Sequence, residues 1–439
     1  MLSFENFKKV FPKRFVKKLE SPIVPYSQKI NMDDLLNELY DEIKNFNYNP
    51  SRCHEHLVFN KRKGVIRISP IFRPKDSVLY YFCVKMIEDE IAKNRVNGTY
   101  GGWRLGNPLR FLEEEEASNI TEYVNSSSYN PLLWSKYWKE FQKKAQLYSS
   151  QNTELKYILK IDIANFYDNI NLHILEQKLY TGIGADKKEY IELLLYFLRN
   201  WNKAIAGFSE KHMGLPQETM ADCSRLLANF YLQDYDEFMK KICDESNSKY
   251  LRYADDQIIF TRTETDAKEI LFKASKFLLG HGLNLNASKT EVFEDIETYN
   301  FYWAFDIFKL LEMDDSLHIN DAVRLFLDRL NSNAPFRKHS VLKRILNVEF
   351  NKLEPELRHK VISLIYDVDF LLRADYWNLH RIYSNLSSTE KKDFLKKLDE
   401  LIDSIIYNSY HYNLVKFYVL EGRTFDRERI MDRLKSLKI

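Results

Sequence analysis

The chain of 439 residues contains only 12 glycines and 11 prolines, against 28 tyrosines and 29 phenylalanines. So few turn-forming residues argue against an all-β protein and predict long helices. The four cysteines are scattered and form no CxxC pair, which argues against a disulfide scaffold or a zinc finger. Basic and acidic residues nearly balance, 65 against 63, so the net charge of +2 indicates no particular partner.

Long hydrophobic runs are also missing. The longest apolar run, residues 78–84, is far shorter than the ~18 residues that a membrane span needs. The N-terminus, with Pro12 among lysines, lacks the pattern of a signal peptide. A hydrophobic content of 45% still allows a sizeable core. We therefore expect a cytoplasmic protein without membrane contact, folded into about two or three domains.

Hydrophobic periodicity divides the chain into a mixed α/β part and an all-helical tail. Alternation predicts a hairpin around Lys63 and Gly64, a strand ending at an aspartate after Ile161, and a strand–turn–strand over residues 250–262. Helical periodicity covers residues 76–95, 171–205, 224–243 and a stretch that ends at Leu279. Beyond about residue 315 only helical periodicity remains.

The N-terminal segment is basic, and Lys8 to Lys18 alternate with phenylalanines at positions 7, 11 and 15. Such a mixture can bind a phosphate backbone with aromatic support. A solvated helix face would have the same composition. Both interpretations stay open at this point.

The most informative residues are Asp255 and Asp256, which lie in the sequence Tyr-Ala-Asp-Asp between two β-prone runs. A hairpin turn there would present both carboxylates at the sheet edge. Asp162, at the end of another apolar strand, can supply a third carboxylate. Hard oxygen ligands without cysteine or histidine favour Mg²⁺ or Mn²⁺ over zinc. Two such ions can activate an attacking hydroxyl and stabilise the leaving oxygen of a phosphate.

These motifs occur in one order along the chain. Asp162 is followed by Gly-Leu-Pro-Gln at 214–217, which is expected to open a helix, by Tyr-Ala-Asp-Asp at 253–256, and by Gly-Leu-Asn-Leu-Asn-Ala-Ser-Lys at 282–289. That order, over roughly residues 55–305, resembles the palm of reverse transcriptases. The resemblance implies an α+β fold with right-hand polymerase fingers and palm, followed by a helical thumb or repeat-like domain. Its domains would be a basic segment (1–55), fingers and palm (56–314) and a helical C-terminal domain (315–439).

The resemblance also implies roles for individual residues. The metal ligands would be Asp162, Asp255 and Asp256, and Lys289 would protonate the departing pyrophosphate. Tyr167 would be the steric gate against the ribose 2′-hydroxyl. The substrate-binding residues would further include Gln217, Arg67 and Lys63, of which the two basic ones would hold the incoming triphosphate. Ordinary packing remains an alternative for Tyr167, and a solvated surface for the basic residues.

Two departures from the family pattern concern the template. Glu218 follows Gln217 where templated enzymes have glycine, and Arg225 replaces a proline in a helix that resembles one in group II intron enzymes. A glycine lets the backbone approach the new base pair, whereas Glu218 adds bulk and negative charge. The retron elements N-A-x-x-H and V-T-G are absent. What remains resembles the abortive-infection and unknown-group reverse transcriptases of bacterial antiphage defence.

The sequence therefore predicts a DNA polymerase, RNA-directed or template-independent, that adds dNTPs in antiviral defence. Its partners would be a non-coding RNA and the DNA product, and the tail would shape the product channel or a homo-oligomer. Exposed tyrosines of the tail (Tyr407, Tyr410, Tyr412 and Tyr418) could supply a primer hydroxyl. The alternatives are a catalytically idle nucleic-acid-binding protein of the same fold and an enzyme of the retron or intron type.

Overall fold

The computed structural model describes residues 3–62, 64–93, 95–105, 134–151, 154–202, 210–218, 223–332 and 334–437. Two compact units are formed. The first contains Met1–Glu55 and Pro70–Ile296, and the second contains His56–Ser69 and Glu297–Ile439. Within the described ranges, no helix is both long and apolar enough to cross a bilayer. The expected combination of a mixed α/β part and a helical tail is confirmed.

The described residues contain seven strands: β1 (Glu55–Arg62), β2 (Val65–Ile71), β3 (Thr99–Tyr100), β4 (Tyr157–Ile161), β5 (Lys249–Tyr253), β6 (Asp256–Thr261) and β7 (Glu291–Phe293). The first two form the predicted hairpin. The other five form the sheet of the first unit, in the order β3-β5-β6-β4-β7. β3 pairs with β5 in parallel, and the remaining pairs are antiparallel.

Helices cover both faces of this sheet. The helices of the first unit are α1 (Phe4–Lys9), α2 (Lys13–Glu20), α3 (Met32–Lys44), α4 (Pro74–Lys93), α5 (Trp134–Gln151), α6 (Phe166–Asn169), α7 (Leu172–Gly182), α8 (Lys188–Asn200), α9 (Cys223–Tyr231), α10 (Gln233–Glu245) and α11 (Glu264–Gly280). On β6, Phe260 contacts Tyr148 of α5, while Ile259 belongs to the same core as Ile270 of α11. Since neighbouring residues of a strand point to opposite faces, α5 and α11 lie on opposite sides.

Three helical predictions are wrong in detail. The predicted helix over 171–205 is divided into α7 and α8 within its described part, because α7 ends at Gly182 and the chain is extended at Ile183 and Gly184 before α8. The expected helix over 224–243 is also divided, at Leu232, into α9 and α10. The segment 214–217 was expected to open a helix, but residues 214–218 are irregular and the next described helix begins at Cys223.

The N-terminal aromatic side chains are core residues, and their burial decides against the interpretation in which they support nucleic-acid binding. Phe7 is fully buried, and its ring lies 4.8 Å from that of Phe82. Phe15 packs in the same way on Tyr81, with ring centroids 4.4 Å apart. The lysines at positions 9, 13, 17 and 18 are exposed on the other face of α1 and α2. This segment therefore presents charged side chains to solvent, and the aromatic rings of Phe7 and Phe15 are in the core.

The second unit is helical apart from the hairpin. Its helices are α12 (Ile296–Trp303, whose first residue belongs to the first unit), α13 (Phe305–Glu312), α14 (Ser316–Asn331), α15 (Lys338–Ile345), α16 (Pro355–Ile365), α17 (Val368–Leu371), α18 (Tyr376–Asn385), α19 (Ser388–Glu400), α20 (Asn408–Leu420) and α21 (Arg427–Ser436). The helices α13 to α21 share one hydrophobic core.

The tyrosines expected to be exposed near the C-terminus are mostly buried, which corrects that expectation. Tyr407, Tyr410 and Tyr418 belong to the core, and Tyr412 is half-buried. The Tyr410 hydroxyl donates to the Leu398 carbonyl at 2.9 Å, and the Tyr418 hydroxyl donates to Asp399 at 2.5 Å. Burial raises the pKa of both phenols. Buried, hydrogen-bonded and protonated hydroxyls are poor primers.

Candidate active site

The register of the central strands places two aspartates side by side. In the antiparallel pair of β4 and β6, Tyr157 lies opposite Thr261 and Ile161 opposite Gln257. Continuing that register by one residue places Asp162 opposite Asp256. Asp255 immediately precedes Asp256 in the turn between β5 and β6. The sheet thus brings the three predicted carboxylates to one edge.

Asp162 is only 2% exposed and is held by the segment that carries Lys289. Its carbonyl accepts a hydrogen bond from the Asn286 backbone N–H at 2.8 Å. The Lys289 ammonium lies 2.6 Å from one oxygen of the Asp162 carboxylate and 3.0 Å from the other. The Asn286 side chain lies 3.4 Å from the nearer of these oxygens. A partly exposed cation therefore balances the buried charge of Asp162.

The turn that presents Asp255 has only two residues. Tyr253 pairs with Asp256, so Ala254 and Asp255 form the loop. Ala254 has a φ of 54°, a left-handed conformation that costs a residue with a Cβ ~1–2 kcal/mol. Two-residue hairpin loops need positive φ at the first central position, where glycine is usual. The surrounding structure must compensate for the alanine.

Arg252 supplies that support from below the turn. Its side chain is fully buried, and Nη1 donates to the Ala254 carbonyl at 2.8 Å and to Asn229 Oδ1 at 2.9 Å. Nε donates to Asp236 Oδ1 at 2.7 Å, and Nη2 donates to the other oxygen of the same carboxylate. Burial alone would lower the pKa of Arg252, but Asp236 raises it above its ordinary value. Arg252 is therefore charged, and its charge opposes the rise that burial causes in the pKa of Asp236.

Sequence reasoning missed this buried network. Its charge between Leu251 and Tyr253 of β5 is the one signal that could have drawn attention to Arg252. No spacing rule connects it to Asn229 and Asp236, which lie on α9 and α10. Their partnership depends on how these helices pack against the sheet.

Mutual repulsion among the carboxylates affects the pKa of Asp255. The pKa of Asp255 is raised to about 6, first by burial and then by the charges of Asp256 and Asp162, while Lys289 opposes the shift. Crowded hard oxygens of this kind are the donor set that Mg²⁺ and Mn²⁺ prefer. Among the described residues, however, no three acidic, histidine or cysteine side chains stand arranged as a ready metal site. The carboxylates are donors that fit a divalent cation, and the Lys289 ammonium is bonded to one of these carboxylates, that of Asp162.

Tyr167 and Gln217 lie on two segments that are joined to each other by hydrogen bonds. Tyr167 lies on the short helix α6, is half-buried, and accepts a hydrogen bond from the Leu215 N–H at 2.8 Å on its carbonyl. Gln217 donates from Nε2 to Asp168 Oδ1 at 3.3 Å. Gly214, with a φ of 90°, allows this approach, because a Cβ there would lie 3.2 Å from the Asp168 carbonyl oxygen. The sequence does not predict that Asp168 is a hydrogen-bond partner of Gln217.

The two basic fingers residues are placed differently. Arg67 is exposed on β2, in the part of the hairpin that belongs to the second unit. Lys63 lies outside the described residues. The first unit therefore contains the carboxylates, Lys289, Tyr167 and Gln217, whereas Arg67 belongs to the second unit.

Glu218, expected to stand against a template, is half-buried, and one of its carboxylate oxygens is buried. After burial and the nearby Cys223, the charge of Glu218 is among the causes that raise the pKa of the buried Tyr80 phenol. The carboxylate therefore lies close to the Tyr80 side chain.

Comparison with solved structures finds telomerases. Apo telomerase from Candida tropicalis, truncated from its C-terminal domain, has a TM-score of 0.34 at 13% identity, over 59% of this chain and 55% of its own. Telomerase from Candida albicans in complex with a TWJ fragment of telomeric RNA has 0.34 at 12%, over 91% and 67%. Apo telomerase from Candida tropicalis has 0.36 at 13%, over 92% and 74%. The chain thus spans about half the length of the first of these.

Comparison with families is more specific. A search of the curated proteins found no match. Residues 118–312 match the family model described as reverse transcriptase (RNA-dependent DNA polymerase). This range contains Asp162, Asp255, Asp256 and Lys289. The chain therefore carries a reverse transcriptase domain, the domain of an RNA-directed DNA polymerase, which is a nucleotidyltransferase.

Proposed function

We propose that this protein extends a 3′-hydroxyl with dNTPs by two-metal phosphoryl transfer. The observation that carries the proposal is the register of β4 and β6, which sets Asp162 opposite Asp256 and next to the turn of Asp255. In the reaction the hydroxyl oxygen attacks the α-phosphorus, a new P–O bond forms, and the bond to pyrophosphate breaks. The hydroxyl proton must leave, and negative charge develops on the pyrophosphate.

Asp162, Asp255 and Asp256 would hold the two Mg²⁺ ions, with Mn²⁺ as a substitute. Bound divalent cations lower the pKa of the attacking hydroxyl and stabilise the charge of the leaving group. The fit rests on the donor set, because three crowded carboxylates repel one another and raise the pKa of Asp255, after the effect of burial. Lys289 would have to release the Asp162 oxygens to which it is now bonded.

Lys289 would then act as the general acid. Its ammonium group is about half exposed and would donate a proton to an oxygen of the departing pyrophosphate. In the absence of substrate the same charge neutralises Asp162. One side chain would thus serve two successive partners, a carboxylate and a phosphate.

Tyr167 and Gln217 would line the place of the incoming sugar and base. Tyr167 is half-buried, so its ring is fixed on one side by packing on Phe166 and reachable on the other. A fixed ring can exclude the 2′-hydroxyl, which is the group that distinguishes the two sugars. Arg67, which is exposed on β2, and Lys63 would bind the triphosphate.

The second partner would be a dedicated non-coding RNA, as template or scaffold, and the biological role antiphage defence. The exposed lysines of α1 and α2 would bind its phosphates, so binding would weaken with salt. Glu218 disfavours a generic template by bulk and charge, which predicts poor copying of arbitrary primed RNA. The helical unit would shape the product channel or a homo-oligomer.

The alternative is an idle polymerase fold that only binds nucleic acid. The pairing of Lys289 with Asp162 is the observation that favours it. Sequencing the DNA that copurifies with the protein separates the possibilities. A unique complementary DNA supports copying of a defined RNA, and random or homopolymeric DNA supports untemplated synthesis. No DNA, together with no incorporation of labelled dNTPs in Mg²⁺ or Mn²⁺, would overturn the proposal in favour of the idle fold.

A further inference from the structure

The β1–β2 hairpin, which carries Arg67, belongs to the helical unit. His56–Ser69 packs with Glu297–Ile439, although more than 200 residues of chain separate them. The distal half of β2 is weakly packed, because Val65, Ile66 and Ile68 are 59%, 49% and 40% exposed. An isolated two-stranded hairpin is at best marginally stable in water. The position of Arg67 must therefore depend on how the base of the hairpin is held.

One residue of β1, Val58, is held by the helical unit through its N–H, its carbonyl and its side chain. Its N–H donates to the Asn408 side-chain oxygen at 2.7 Å. Its carbonyl accepts from the Ser409 hydroxyl at 2.6 Å. Its side chain is buried in the helical core, which also contains Ile307 and Leu414. Both main-chain groups and the side chain of a single residue are thus bound by one helical unit.

The side-chain amide of Asn408 pairs with the backbone of β1 in the way that a neighbouring strand would. While its oxygen accepts from Val58, its side-chain nitrogen donates to the His56 carbonyl at 2.8 Å. The amide therefore pairs with a donor and an acceptor two residues apart on β1, as a neighbouring strand would. Asn408 is only 2% exposed, so loss of these bonds would leave buried polar groups without partners. A further contact, from Arg373 to the Lys61 carbonyl at 3.1 Å, extends the support toward the hairpin tip.

We infer that Asn408 is a positioning residue for the incoming triphosphate, and that it acts through the hairpin on Arg67. The inference rests on the proposed function, in which Arg67 binds the triphosphate. It gives the helical unit a specific task in the reaction, namely to fix the strand that grips the substrate. Asn408 touches no substrate, so its loss raises KM for dNTP and leaves kcat almost unchanged.

The test compares Asn408→Ala with Asn413→Ala in the full-length protein. Asn413 is a matched control, because it is also buried on α20 but bonds only to Tyr376 and Ser409 within the helical unit. Arg67→Ala should raise KM for dNTP roughly 10-fold or more, as expected for loss of a charge-assisted bond. Asn408→Ala should raise KM several-fold with kcat within about twofold. Asn413→Ala should change neither.

A double mutant separates positioning from general damage. If Asn408 acts through Arg67, Asn408→Ala adds no further increase of KM in the Arg67→Ala background. Hydrogen exchange of residues 55–62 supplies a readout independent of activity, since the Val58 amide should exchange faster in Asn408→Ala. Ser409→Ala removes only a hydroxyl, keeps the fold intact, and should raise KM in the same direction by less.

Several results would overturn the inference. They are an unchanged KM in Asn408→Ala, an effect equal to that of Asn413→Ala, or an additive effect in the double mutant. Each of these requires an active wild type, and therefore leaves the proposed function standing. Absence of dNTP incorporation by the wild type would overturn both proposals, and is recognised before any variant is measured.

Discussion

The Lys289 ammonium lies 2.6 Å from the Asp162 carboxylate, in direct contact with a group proposed to bind a divalent cation. Asp162 is buried and Lys289 is half exposed, so the carboxylate cannot move away but the lysine can. The Lys289 side chain is therefore a mobile counter-ion of Asp162, which a metal ion and a nucleotide would displace. This relationship connects the resting site to the proposed reaction.

Lys289→Met should bind Mn²⁺ more tightly and incorporate dNTPs more slowly. Removal of the ammonium leaves Asp162 without its counter-charge, which favours a bound cation. Loss of the general acid should slow incorporation ~100-fold or more. Calorimetric titration with Mn²⁺ and single-turnover incorporation measure the two effects separately. Lys289→Arg keeps the charge and should leave Mn²⁺ affinity near that of the wild type. Unchanged affinity in the methionine variant would show that Lys289 does not compete with the cation.

Tyr167→Ala should lose discrimination against ribonucleotides. The half-buried ring is replaced by a methyl group, and the 2′-hydroxyl can then enter. The ratio of kcat/KM for dNTP to that for rNTP should fall at least ~10-fold, because a steric contact with one group is worth one or more kcal/mol. Tyr167→Phe keeps the ring and is a control that should leave the ratio unchanged. Equal discrimination in Tyr167→Ala and wild type would make Tyr167 a packing residue.

Arg252→Met should destabilise the first unit by about 3–5 kcal/mol, because it leaves the buried charge of Asp236 without its partner. A double variant that carries both Arg252→Met and Asp236→Asn should recover part of the lost free energy of unfolding. Urea unfolding followed by circular dichroism measures the free energy of unfolding for the three proteins. A double variant as unstable as the sum of both single variants would contradict a direct partnership.

The sequence predicts where the three aspartates lie better than it predicts the residues that support them. The aspartates are identified because they follow apolar strands, and period-two alternation fixes the strand ends. Arg252 and Asn229 are not identified, because their roles depend on contacts between α9, α10 and β5 that no local pattern encodes. The same limit applies to Asn408, whose partners on β1 lie 350 and 352 residues away. Buried Tyr410 and Tyr418 were expected outside because a tyrosine-rich helix has no clear apolar side.

Asp76 should make stability depend on pH. It is buried, accepts a hydrogen bond from Tyr48 at 2.7 Å, and has its pKa raised by burial to about 6. The folded pKa lies above the unfolded value of 3.8, so this contribution is fully present below pH ~4 and is lost as pH rises through about 6.

The expected loss between pH 4.5 and 7.5 is about 2 kcal/mol. Asp76→Asn keeps an acceptor for Tyr48 and should remove this part of the dependence. The difference in unfolding free energy between wild type and variant should therefore change by that amount across the range. Parallel profiles of the two proteins would show that Asp76 does not titrate as described.

The central claim is that the carboxylates at the edge of β4 and β6 carry nucleotide transfer. Asp255→Asn removes one charge from the turn and keeps its shape. The direct measurement is incorporation of labelled dNTP by purified wild type and variant in Mg²⁺, with circular dichroism to establish equal folding. The account predicts a loss of about 1,000-fold or more, since metal-assisted charge stabilisation is worth several kcal/mol. Incorporation by a folded Asp255→Asn variant at a rate near that of the wild type would contradict it.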